Sequence, residues 1–154
     1  MRQFLLVSIL FLTTHPYLQG QCIATTPWQS SNAPTSGTVI STITIYGGDY
    51  HQVNNVAAYD TYQSFVSNLS SYLTVTEGSP TGTVIAHGYV DATTTLTWYS
   101  NAAGTYYVHV HADAICGVNA TSHTLEMTYG PPPTCFVPTN LAAASNTSTS
   151  FNVS

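Results

Sequence analysis

Thr105-Tyr106-Tyr107-Val108-His109-Val110-His111-Ala112 is the stretch whose reading decides the fold. In an extended chain, successive side chains point to opposite faces. Tyr106, Val108, Val110 and Ala112 then share one face, and Tyr107, His109 and His111 share the other. The first set reads as a core face and the second as a solvated one. In His123–Tyr129, Leu125, Met127 and Tyr129 likewise stand opposite Thr124, Glu126 and Thr128. One buried and one wet face per strand is the mark of an antiparallel sheet.

Working outward, strand-forming stretches recur at Thr38–Ile45, Ala57–Val66, Tyr72–Thr76, Thr83–His87 and Thr94–Tyr99, with a less marked one at Tyr50–Val53. Between them lie Gly47-Gly48, Gly78-Ser79-Pro80, Gly82 and Gly104. Thr, Val, Ile and Tyr favour strands, and Gly and Pro favour turns. No stretch keeps a helical period of apolar residues. Seven or eight short strands with regular turn signals predict an all-β, antiparallel β-sandwich of jelly-roll or Greek-key type, followed by an extended C-terminal tail.

Residues 1–20 read as a signal peptide. Arg2 supplies the positive start, and Phe4 to Leu12 is an apolar run too short to span a bilayer. The expected sandwich occupies residues 21–130. Pro131-Pro132-Pro133 and Thr134 form a semi-rigid linker. Residues 135–154 are too few for a domain of their own.

Charge excludes several functions. Arg2 is the only Lys or Arg in the chain, against six acids. Beyond residue 20 nothing basic remains except histidine. Nucleic-acid binding needs Lys and Arg to displace phosphate counterions, so it is excluded. Anionic membrane surfaces are disfavoured, and no span is expected. The acids scatter and keep the domain soluble.

Two families are resembled. Ser71-Tyr72-Leu73-Thr74-Val75, Gly82-Thr83-Val84-Ile85-Ala86, Ala103-Gly104-Thr105-Tyr106-Tyr107-Val108-His109-Val110 and Thr124-Leu125-Glu126-Met127-Thr128-Tyr129 together resemble bacterial pre-peptidase C-terminal domains. Upstream, Ala33-Pro34-Thr35-Ser36-Gly37-Thr38-Val39-Ile40-Ser41-Thr42 is similar to modules of adhesin-like surface proteins of gliding bacteria. Cys135-Phe136-Val137-Pro138-Thr139-Asn140-Leu141 and Ser148–Ser154 resemble the opening of a fibronectin type III domain. That family continues with a core Trp where this chain stops. The resemblance implies either a fragment of a longer protein or a tail used as a donated strand.

The cysteines are Cys22, Cys116 and Cys135. Export permits disulfides. Three single pairings are open, as is none. Cys22–Cys116 is preferred because both lie in the sandwich region, leaving Cys135 to pair elsewhere. His109 and His111 on one strand face, with Tyr107 before and Asp113 beyond, form a candidate ligand face. Two imidazoles there suit a transition metal only with a third ligand such as Asp113, His87 or His123. The plainer reading is a His-rich solvated face, so no metal or other cofactor is assigned. Tyr107 with His109 also suits a sugar ring. Sequons stand at Asn68, Asn119, Asn146 and Asn152.

No nucleophile elbow, zinc-protease helix or phosphate loop is present. Nothing places Asp91 beside Asp113 as a carboxylate pair. The chain therefore reads as a secreted or cell-surface, non-catalytic structural or adhesive module. Its partners would be other extracellular domains or copies of itself. One alternative is a self-assembling fibre subunit that donates its tail strand to a neighbour's sheet edge. Another is an accessory carbohydrate- or protein-binding domain of a secreted hydrolase.

Overall fold

A computed structural model describes residues 21–36 and 38–130. The expected signal peptide, the proline linker, Cys135, Asn146, Asn152 and the fibronectin-like tail lie outside the described residues.

Nine strands appear among the described residues. They are β1 (Thr26–Asn32), β2 (Val39–Gly47), β3 (Asp49–Val56), β4 (Thr61–Val66), β5 (Ser71–Glu77), β6 (Thr83–Val90), β7 (Leu96–Tyr99), β8 (Gly104–His111) and β9 (Asn119–Tyr129). They form two sheets, ordered β1-β3-β8-β5-β6 and β2-β9-β4-β7. The fold is an all-β sandwich. Consecutive strands mostly alternate between sheets, so each strand's apolar face meets the other sheet rather than its sequence neighbour.

Two expectations need correction. The count is nine rather than seven or eight, and one ladder is parallel: β1 runs alongside β3 with Thr26 opposite Asp49 and Asn32 opposite Asn54. β1 is an edge strand whose residues are nearly all exposed. It contributes little to the core, so its sequence carries no apolar alternation to read. The stretch at Ala57–Val66 is also shorter than expected. Tyr59 takes a left-handed φ of 64° in the turn that precedes β4.

The core lies between the sheets. Val53, Leu73, Val75, Tyr106, Val108 and Val110 come from one sheet, and Ile45, Tyr62, Val66, Leu125 and Met127 from the other. Trp98 sits between two tyrosine rings, stacked on Tyr62 at 4.6 Å and on Tyr106 at 5.4 Å. Its indole N–H donates to Ser64 Oγ at 2.9 Å. Trp98→Phe is expected to cost about 2 kcal/mol, because it thins the stack and strands a buried hydroxyl. Urea unfolding checks this through a lower midpoint at unchanged slope. A Phe variant as stable as the parent overturns it.

One lateral margin is stitched shut. Trp28 of β1 packs edge-on against Tyr46 of β2 at 5.1 Å, and its indole N–H donates to the Thr44 carbonyl. This ties the outermost strand of one sheet to the outermost strand of the other.

Candidate functional site

The β8 face that reads as solvated is closed. His109 lies in register with Tyr50 on β3 and Thr74 on β5, so it points away from the intersheet core as expected. Yet His109 is 0% exposed and His111 3%. The reason is a strap. Cys22 and Ala24, both buried, cross this face, and Cys22 is disulfide-bonded to Cys116 with a Cα–Cα distance of 5.0 Å. The central strand of the larger sheet is thus covered on both sides, and alternation alone cannot reveal a cover supplied by a distant segment.

Hydrogen bonds fix the His109 tautomer. Ala24 N donates to Nδ1 at 3.0 Å. Nε2 donates to Thr76 Oγ1 at 3.1 Å, and that hydroxyl donates to the Ser79 carbonyl at 2.9 Å. A ring that accepts at one nitrogen and donates at the other is neutral. Burial, reinforced by the neighbouring His111 ring, lowers its pKa from 6.5 to about 4. His111 lies against the backbone of Cys116 and Cys22, and burial lowers its pKa too.

The other two members of the expected ligand face are occupied differently. Tyr107 is half-buried and meets Tyr50 edge-on at 5.5 Å. Asp113 Oδ1 accepts from Ile115 N at 3.1 Å and from Gly117 N at 2.8 Å, closing its own loop. A Cβ at Gly117 would stand 2.8 Å from Asp113 Oδ2, so a larger residue there would push the Asp113 carboxylate out of its place. Of the suggested third ligands, His87 Nδ1 bonds the Tyr72 hydroxyl at 2.6 Å, and His123 belongs to the other sheet. Among the described residues, no three His, Cys, Asp or Glu side chains stand together to hold a metal ion.

Residues 113–118 form a clamped tip. Ala112 N donates to the Gly117 carbonyl at 2.8 Å and Cys116 N to the Asp113 carbonyl at 3.2 Å. The disulfide anchors the turn from beneath. Ile115 and Val118 project from it, 84% and 75% exposed. The neighbouring Tyr89 is also exposed, and its hydroxyl accepts from Ala114 N at 3.2 Å. The two aliphatic side chains thus stand in water on a turn held by these hydrogen bonds.

A second arrangement had no signal in the sequence. The Ser71 hydroxyl donates to His123 Nδ1 at 2.7 Å, and His123 Nε2 donates to Asn119 Oδ1 at 2.9 Å. The types resemble a nucleophile with its base, but Ser71 and His123 have no exposed surface. No substrate reaches them. They bolt β5 to β9 across the sandwich, and burial lowers the His123 pKa. Asn68, in another sequon, bonds β9 through Ser122 O at 2.9 Å and Thr124 N at 2.7 Å. Asp91 caps its own turn by accepting from Thr93 N at 2.8 Å and Thr94 N at 2.7 Å, which holds it below the usual carboxylate range.

Among the described residues, these features define a two-sheet, all-β sandwich domain with a disulfide-clamped surface loop. Among solved structures, the chain is similar to a periplasmic inhibitor of g-type lysozyme from Aeromonas hydrophila. Identity is 15% and TM-score 0.45, covering 66% of this chain and 98% of that one. It is also similar to the pre-peptidase C-terminal domain of a collagenase from Bacillus anthracis, at 18% identity and TM-score 0.42, covering 66% and 93%. A third is CsCBM6-3 from Clostridium stercorarium, solved with cellobiose, at 14% identity and TM-score 0.39, covering 65% and 79%. No protein-family model and no curated protein matches the chain.

Proposed function

We propose that the chain is an exported, non-catalytic binding module that serves as an adhesive or structural part of an extracellular assembly. The observation that carries this is the clamped tip. Its two exposed aliphatic side chains sit on a turn fixed by a disulfide and four short-range hydrogen bonds, so little order is left to impose on binding. The buried imidazoles of His109 and His123 are already engaged in the hydrogen bonds that hold the strap and the two sheets. The disulfide suits an oxidising compartment. Among the described residues no helix is long and apolar enough to cross a membrane. The partner is another extracellular domain or a second copy.

Sedimentation velocity of the full chain beside Ile115→Ser/Val118→Ser tests the self-contact. Association that the double variant abolishes identifies the second copy as the partner, and a monomer leaves the foreign domain. Turnover of ester, peptide or glycoside substrates by the purified chain sinks the reading.

A fibre subunit is the second reading. The outer edge of β6 carries no Lys or Arg, the usual guards against strand addition. Residues 139–154 would be the donated strand. Filaments in negative stain favour this reading, and discrete particles exclude it.

A further inference from the structure

We infer that the cleft where β1, β3 and β8 meet is a binding site for a neutral oligosaccharide. The cleft is a shallow depression open to solvent, with a volume of about 790 Å³, lined by Asn32, Asn54, Asn55, Gly104 and Thr105 with two small apolar neighbours. That volume is in the range that holds a small ligand.

Its construction is local and specific. The β3–β8 register is irregular between Val53 and Val56. Asn55 takes a left-handed φ of 55° there, which asparagine tolerates better than most residues. The irregularity brings Asn55 to β1, where its Nδ2 donates to Asn32 Oδ1 at 2.9 Å. Asn54 Oδ1 accepts from Gln52 Nε2 at 2.7 Å. Each asparagine thereby spends one half of its amide on a neighbour and keeps the other half. Asn32 and Asn54 keep their amino groups as donors, and Asn55 keeps its oxygen as an acceptor. The amide pairing also orients these groups before any ligand arrives.

The lining decides the ligand class. No charged residue contributes to it. An anion would need Lys or Arg, and among the described residues there is neither. A divalent cation would need carboxylates. A polyol needs neutral donors and acceptors side by side, because adjacent hydroxyls each give and take a hydrogen bond. Neutral amides also shed water at less cost than charges do.

Aromatic surface continues the site. Tyr107 is the β8 partner of Gln52, which bonds Asn54, so ring and amides share one face of the sheet. Tyr50 holds the Tyr107 ring edge-on. A ligand longer than the cleft would extend along this face toward the half-buried Tyr107.

The inference rests on the reading of the chain as a binding module, but it fails separately. An unresponsive cleft overturns the sugar site and leaves the sedimentation and turnover results standing. The test is a nitrogen-15 NMR titration of the full chain with cellohexaose, chitohexaose and xylohexaose at low millimolar concentration. At least one should shift the side-chain amide signals of Asn32, Asn54 and Asn55. Asn32→Ala and Asn54→Ala should each weaken that binding roughly tenfold. Ile115→Ser should leave it unchanged, and a fully sulfated hexasaccharide should not bind. Asn32 is exposed, so its variant carries the test should Asn54→Ala disturb the fold. Silence from all three sugars, indifference to both variants, or equal binding of the sulfated sugar overturns the proposal.

Discussion

Between pH 7 and pH 4 the domain is expected to lose about 6 kcal/mol of stability, roughly 3 kcal/mol from each of two buried histidines. His51 and His109 both have pKa values lowered from 6.5 to about 4, with burial the leading cause. In the unfolded chain they take up protons near the ordinary value. In the folded chain they resist until about pH 4, so the unfolded state binds more protons throughout that window. Stability is therefore full above pH 6.5, falls as the pH drops, and levels off below 4, once the folded state is protonated too. His111 and His123, also lowered by burial, act in the same direction. The loss is comparable to the whole stability of an ordinary domain. It has a structural meaning at His109: a proton on Nδ1 displaces the bond from Ala24 N, so the strap must lift for the ring to charge. His51 donates to or accepts from Ser31 Oγ at 2.8 Å and has no partner at Nδ1, so its protonation disturbs the β1–β3 edge. Urea melts at pH 7, 5.5 and 4.5 read the effect. A midpoint that stays constant across that range contradicts it. His109→Gln should flatten the dependence by about half.

Removing the disulfide is the second large effect. Cys22 and Cys116 are separated by 94 residues, and closing a loop of that length is worth up to about 4–5 kcal/mol on the chain-entropy account. Reduction, or Cys22→Ser with Cys116→Ser, should lower the melting temperature by about 15–20 °C. The damage should be ordered in space. The strap and the tip share this one covalent anchor, so amides of Ala24 and of residues 113–118 should exchange first. Those of Leu73, Val108 and Leu125 in the core should follow only on global unfolding. Non-reducing peptide mapping identifies the pair directly. Uniform exchange through strap, tip and core would contradict the shared anchor.

Much of the sandwich was legible because alternation survives wherever a strand has one face in the core. Tyr106, Val108 and Val110 read correctly as inward, as did Leu125 and Met127, and each is fully buried. β1 was illegible because an exposed edge strand need not alternate. His109 and His111 were placed on the correct face but in the wrong medium. Their cover comes from a segment more than eighty residues away in sequence. Asn54 and Asn55 carried no signal at all, because a cleft made where three strands meet is a property of register. Ser71, His123 and Asn119 share that fate: each is ordinary alone, and only the packing of one sheet on the other brings them into line.

The stitched margin has an optical consequence. The chain holds two tryptophans, and they occupy opposite environments. Trp98 is 2% exposed within the aromatic stack, whereas Trp28 is 41% exposed at the edge. Native emission is thus the sum of a blue component from the interior and a red one from the rim. Trp28→Phe leaves a single dark-field reporter of the core, and Trp98→Phe leaves one of the β1–β2 rim. Recorded side by side during acid titration, the two spectra separate opening of the rim from collapse of the interior, which a single unfolding curve merges.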